Sequence, residues 1–300
     1  MKIRRPVAEE SARSSFDETV ETIQKTTAGH VPKRQVEELV IRAARDFDDF
    51  YRQRHQAAVA APVSGSVLAM SVDGKGVVMR PEDLRQQTRK AAENRTHKMD
   101  KRLSKGEKKN AKRMATVAAV YTTVPVIRQP EDIFGDRLCD SQRAGPEHKR
   151  VWASIEKPPE QVIADMFEEA GARDPCNEKT WVALVDGNAT QIRILKRMAK
   201  KKKQELTIVV DIIHVIEYLW SAGRVFYPQG GQALEDWVNH RLGEILKGKA
   251  GYVAGGMRRS ATKRQLDAQT RKPVDKCAGY LLNHLPHLRY DRYLAQGLPI

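Results

Sequence analysis

Residues 181–220 read WVALVDGNATQIRILKRMAKKKKQELTIVVDIIHVIEYLW. Two short apolar runs, Trp181–Val185 and Leu206–Val210, flank a segment from Ala189 to Lys203 in which Ile192, Leu195 and Met198 recur at helical spacing and the lysines face outward. Each run closes on an aspartate, Asp186 or Asp211, and a second helical pattern begins directly after Asp211. Strand, helix, strand, helix is the pattern of a parallel α/β unit. In such sheets the residues just past the strands' carboxyl ends converge on a crevice, so the two aspartates mark where chemistry is expected.

Working toward the N-terminus, Val67-Leu-Ala-Met-Ser-Val72 is a buried-strand pattern expected to end in a turn at Asp73-Gly-Lys-Gly76. A basic excursion over 80–113 is expected to be helical from Pro81 to Arg113. Met114–Tyr121 and Arg150–Ile155 read as the second and third strands, and Gln161–Gly171 as a helix with Val162, Ile163, Met166, Phe167 and Ala170 on one face. The order strand, strand, strand, helix, strand, helix, strand, helix is that of the ribonuclease-H-like fold, an α/β mixed sheet flanked by helices. Residues 15–54 read as two helices, the first capped by Ser15 and the second opened by Pro32 and carrying Val36 to Phe47. With Lys33, Arg34 and Gln35 at the second helix's start they form either a helix-turn-helix or a plain helical hairpin, and both stay open. The expected organisation is an N-terminal helical segment over 1–56, a linker over 57–66, a core over 67–217 and a helical region over 218–300.

The chain has 300 residues, 53 Lys+Arg against 38 Asp+Glu and a formal net charge of +15. The surplus has addresses. Residues 1–56 are nearly neutral, with 11 basic and 10 acidic side chains. Residues 85–113 hold 12 basic side chains against 3 acidic ones, among them Lys98, Lys101, Arg102, Lys105, Lys108, Lys109, Lys112 and Arg113. Residues 193–203 add seven cations and no acid, including Arg197, Lys200, Lys201, Lys202 and Lys203, and 257–276 adds seven more against two acids. Blocks of this kind suit phosphate contacts, and double-stranded DNA is the expected partner. No apolar run approaches the roughly 18 residues of a membrane span, so no membrane partner is expected. Cys139, Cys176 and Cys277 are too far apart for a CxxC metal site and odd in number, and a cytosolic, DNA-associated protein is expected.

Asp73 and Asp186 are the candidate catalytic and metal-binding pair. Two acids at strand ends that converge on a crevice can share divalent ions that act on a phosphodiester, and Mg²⁺ takes few carboxylates and fills its other positions with water and phosphate. Asp-Gly after a strand is also ordinary turn chemistry. Asp211, His214 and Glu217 form a supporting group: His214 and Glu217 share a helix face, and Asp211 can accept from the imidazole or simply cap the helix.

The motifs Ser71-Val-Asp-Gly-Lys-Gly-Val-Val-Met-Arg80-Pro, Arg102-Leu-Ser-Lys-Gly-Glu-Lys-Lys-Asn110, Lys112-Arg-Met-Ala-Thr-Val-Ala-Ala-Val-Tyr121, Leu184-Val-Asp-Gly-Asn188 and Asp211-Ile-Ile-His-Val-Ile-Glu-Tyr-Leu-Trp220 together resemble the ISKra-type insertion-sequence transposases. These are bacterial DDE transposases with a ribonuclease-H-like core. The resemblance extends to Lys33–Leu39 and Tyr280-Leu-Leu-Asn283 and so covers most of the chain. It implies that Asp73 and Asp186 are the first two metal-binding acids, with two Mg²⁺ ions for which Mn²⁺ substitutes. It implies that Asp211 and His214 are a D-x-x-H signature, that the helices from 218 onward are an insertion, and that the protein works as a homo-oligomer on DNA. Family members carry a third acid, a Glu, beyond the region matching Gly297–Ile300. The chain is therefore expected to be a transposase truncated at both ends, with weakened metal binding. The alternatives are a catalytically dead DNA-binding remnant and a basic RNA-binding protein of the same fold.

Overall fold

Five strands form one mixed sheet in the spatial order β3-β2-β1-β4-β5. The computed structural model describes residues 3–27, 29–58, 65–93, 111–134 and 145–300. The strands are β1 (Val67–Val78), β2 (Lys112–Thr123), β3 (Glu147–Ser154), β4 (Thr180–Val185) and β5 (Thr207–Val210). β1, β2 and β3 form an antiparallel meander, whereas β4 runs parallel to β1 on its other side and β5 parallel to β4. The chain is α/β, with helices flanking this sheet.

β1 departs from expectation. It does not turn at Asp73-Gly74 but continues to Val78, with Gly74 opposite Thr116 and Gly76 opposite Met114 on β2. β4 stops at Val185, level with Val72, so the second half of β1 projects with β2 as a two-stranded ribbon. A Cβ at 76 would lie 2.9 Å from Cδ of Lys112, a contact that the flexible lysine side chain can relieve by moving. The basic excursion is also not one helix. Pro81–Asp83 is a single 3₁₀ turn, α5 covers Gln86–Glu93, and Lys112 and Arg113 belong to β2. Lys98, Lys101, Arg102, Lys105, Lys108 and Lys109 lie outside the described residues.

The remaining elements of this unit are α6 (Pro159–Arg173), α7 (Ala189–Lys202), α8 (Ile212–Phe226), α9 (Gln232–Leu246), α10 (Ala250–Lys263), α11 (Ala268–Asn283) and α12 (Tyr290–Ala295). α6 packs on β1 and β2 through the face Val162, Ile163, Met166, Phe167 and Ala170, all buried. Its Glu169 is buried between Arg150 of β3 and Arg173, an ion triad that fastens β3 to the helix. A single apolar core runs from Leu68 and Val182 in the sheet through Leu219, Leu246 and Met257 to Leu281 and Leu294. Residues 62–300 form one compact unit, and the boundary expected at 217 falls in the middle of α8.

β5 is an edge strand, and the C-terminal helices occupy its outward carbonyls. Tyr290 Oη donates to Val210 O at 2.6 Å, and His287 Nδ1 lies 3.1 Å from Ile208 O. An edge with its acceptors taken is closed to pairing with another chain.

Residues 1–61 are a second compact unit. It contains α1 (Arg4–Ser11), α2 (Phe16–Thr27), α3 (Lys33–Ala43) and α4 (Phe47–Ala58), where the sequence pattern gave two helices. Val7, Ile23, Val31 and Val36 form its core. Ser15 caps α2 as expected, with its Oγ accepting from Glu18 N while its own N–H donates to the Glu18 carboxylate.

Candidate active site

Strand register brings three aspartates to one level. Val72 of β1 pairs with Val185 of β4, and Val185 with Val210 of β5. Asp73, Asp186 and Asp211 each follow one of these valines, so they form a row across strands about 4.8 Å apart. Asp211 N donates to Val185 O at 2.9 Å, which holds the row together past the last ladder pair. The row lies where β1 leads to β2 on one side and β4 leads through α7 to β5 on the other. Crevices at such switch points are where α/β sheets place ligands.

The local surroundings of the three differ. Asp73 is exposed on the projecting ribbon, and its Oδ1 accepts from Gly74 N at 2.6 Å. Asp186 is half-buried, and its Oδ1 accepts from Asn188 N at 2.7 Å. Here the Asp-Gly pair does form a turn: Gly187 has φ +90, and Asn188 then caps α7 by accepting from Thr190 N and Gln191 N. Asp211 caps α8, with Oδ1 accepting from Ile213 N at 2.8 Å. The expected link from its carboxylate to His214 is replaced. The imidazole turns one helical turn onward, and its Nδ1 lies 3.3 Å from Glu217 Oε2. Capping claims the Asp211 carboxylate, while residues three apart on a helix meet naturally.

Asp186, His214 and Glu217 line one cleft of ≈ 340 Å³ together with Tyr218, Ser221 and Lys276. Lys276 sits 5.3 Å above the Tyr218 ring and supplies a cation beside the acids. A larger cavity of ≈ 540 Å³, lined by Ser66, Thr180 and Thr207, lies at the opposite end of the strands.

Tyr280 of α11 and His284, the residue just after it, hold the Asp186 turn, and sequence reasoning gave them no such role. Tyr280 Oη donates to Asp186 O at 2.8 Å. His284 Nε2 lies 2.8 Å from Gly187 O, and its Nδ1 lies 2.7 Å from Tyr280 O. Tyr218 stacks on Tyr280 with centroids 4.1 Å apart. A Cβ at Gly187 would lie 2.9 Å from the Tyr280 ring and 3.1 Å from His284, so only glycine permits both the φ and the contact. Burial, then Tyr218, Asp186 and Asp211, push the Tyr280 phenol up, which keeps it protonated and donating.

The basic residues divide into two groups. Lys112 and Arg113 stand opposite Val78 and Val77 on the ribbon that carries Asp73, at the acid end of the sheet. Arg197 and Lys200–Lys203 are exposed on and just after α7 and take no carboxylate partner among the described residues. α7 starts at the Asp186 turn and runs away from it, so its lysines are roughly 20 Å from the acids at 1.5 Å per residue. Lys203 ends the helix in the left-handed conformation, φ 53.

Asp73 and Asp186 each keep one carboxylate oxygen without a protein donor among the described residues. Among the described residues no group of three His, Cys, Asp or Glu side chains is gathered to hold a metal. No helix among them is long and apolar enough to cross a membrane. No protein-family model matches the chain, and a search of curated proteins finds no match.

Proposed function

We propose that the chain is the core of a DDE-type transposase of the ISKra kind, on a ribonuclease-H-like fold, acting on double-stranded DNA. The observation that carries this reading is the register of Asp73 and Asp186 on adjacent parallel strands at the switch point of a β3-β2-β1-β4-β5 sheet. The reaction is hydrolysis at an element's end, followed by in-line attack of the freed 3′-hydroxyl on target DNA. Asp73 and Asp186 would hold two Mg²⁺ ions, or Mn²⁺ in their place. Bound there, the ions supply charge stabilisation for displacement at phosphorus.

The chain's own residues do the remaining work. Tyr280 and His284 fix the turn that aims Asp186. Glu217 accepts from His214 and orients the imidazole along the cleft wall, where Lys276 offers a charge for a backbone phosphate. Lys112 and Arg113 extend the contact along the ribbon, and the α7 lysines grip a separate stretch of duplex roughly 20 Å away. Two duplexes, element end and target, are what a homo-oligomer of this enzyme has to hold.

A supercoiled plasmid incubated with the chain and Mg²⁺ or Mn²⁺ is expected to be nicked, and D73A and D186A are each expected to abolish nicking while leaving duplex binding intact. Nicking unchanged in both variants overturns the assignment of the pair. A second reading, a DNA-binding remnant without catalysis, is favoured because no group of three His, Cys, Asp or Glu side chains is gathered to hold a metal among the described residues. Duplex binding with no nicking at any metal concentration selects it.

A further inference from the structure

Several arginines of this unit are neutralised by carboxylates. Arg150 and Arg173 share Glu169, Arg271 and Arg258 share Asp275, and Arg289 pairs with Asp291. Half-buried Arg241 and exposed Arg264 are held differently. Arg241 on α9 lies 3.7 Å from the Trp237 ring centroid, and Arg264, at the end of α10, lies 5.0 Å from that of Phe226 and 5.7 Å from that of Tyr227. The rings of Phe226 and Trp237 pack together, centroids 5.4 Å apart, so the two guanidiniums rest on one aromatic shelf. Each spends an NH1 on a backbone carbonyl at 3.1 Å, Arg241 on Trp237 O and Arg264 on Phe226 O. Neither has a carboxylate partner among the described residues.

We propose that Arg241 and Arg264 form an anion site that binds a phosphate group between two guanidinium forks on this shelf. A guanidinium carries several N–H donors in a plane, and the carbonyls take one from each. Two forks together offer more donors than the two oxygens of a carboxylate accept, whereas a phosphate presents oxygens in more than one plane. The electrostatics agree. Burial pulls the Arg241 guanidinium down to about 10, with the Tyr227 hydroxyl opposing and Arg264 adding to the fall. Two like charges rest on one aromatic shelf with no carboxylate partner among the described residues, and a bound anion relieves both. The site stands apart from the Asp186 cleft and does not depend on the transposase reading. Its phosphate can be free or part of a nucleic-acid backbone.

The test uses the full chain and Arg264→Gln, at an exposed position, with Arg259→Gln as the charge-matched control on the same helix. In one arm inorganic phosphate is titrated and the melting temperature followed. General stabilisation by excluded salt is common to all variants. Site binding raises wild type and R259Q above R264Q, and a free anion is then the ligand. In the other arm binding to a short DNA duplex is measured over a range of salt. R264Q is expected to bind about tenfold more weakly than R259Q, with the slope of log K against log salt reduced by about 0.9. That result alone assigns the site to a phosphodiester. R241K, which keeps a cation on Trp237 but loses the fork, is expected to follow R264Q in whichever arm responds. If R264Q matches R259Q in both arms, the proposal is overturned.

Discussion

Gly187 shows how much one residue carries. Its φ of +90 and the 2.9 Å approach of the Tyr280 ring leave no room for a side chain, so G187A is expected to destabilise the fold by about 2 kcal/mol, read from the urea midpoint. Y280F removes only the bond to Asp186 O and is expected to cost about 1 kcal/mol in the same measurement. Glu169 gives a pH signature. Burial alone pushes its carboxyl up, but Arg150 and Arg173 outweigh this and hold it below its ordinary 4.5. Its folded pKa is depressed, so its stabilisation is fully present above 4.5 and is lost as pH falls through the lower folded value. E169Q is expected to lose about 3 kcal/mol at neutral pH, and the gap to wild type is expected to narrow in acid, followed by denaturant melts across that window. Asp73, Asp186 and Asp211 were legible in the sequence because each ends an apolar run. Tyr280 and His284 were not, since no local spacing ties residue 187 to a helix more than ninety positions on.

At the scale of elements, β4, α6, α7 and β5 could be read within a residue or two, because their apolar residues repeat at a clean period. β1 could not. Asp73-Gly-Lys-Gly76 is turn chemistry in isolation, and only the pairing of Gly74 and Gly76 with β2 keeps it extended. α7 illustrates a second limit: its period shows a helix with lysines outward, but its direction away from the Asp186 turn places them far from the acids. Replacing Lys200, Lys201, Lys202 and Lys203 by Gln is therefore expected to lower the salt slope of duplex binding by about 3 to 4 without abolishing nicking. Measured binding isotherms at several salt concentrations and the plasmid assay check the two halves of this expectation. At the sheet edge, Y290F leaves the buried Val210 carbonyl without its donor and is expected to cost about 2 kcal/mol in a denaturant melt.

At the scale of the whole molecule, the chain divides into a small helical unit over 1–61 and a large unit over 62–300, each with its own core. A fragment starting at Pro62 is expected to keep the melting temperature of the large unit, read by thermal denaturation. The helices after 217 read as a separate helical region in sequence. In the fold, Leu242, Met257, Leu281 and Leu294 complete the same core as the sheet. Sequence by itself determined the α/β class, the strand-ending acids and the places where positive charge accumulates, since period, apolar runs and charge are local properties. Only the tertiary structure decided that Asp73, Asp186 and Asp211 share one level, that α11 reaches back to hold the Asp186 turn, and that Arg241 and Arg264 share an aromatic shelf. These depend on register and on contacts between residues distant in the chain, which are set when the whole core packs and not by the preferences of any one segment.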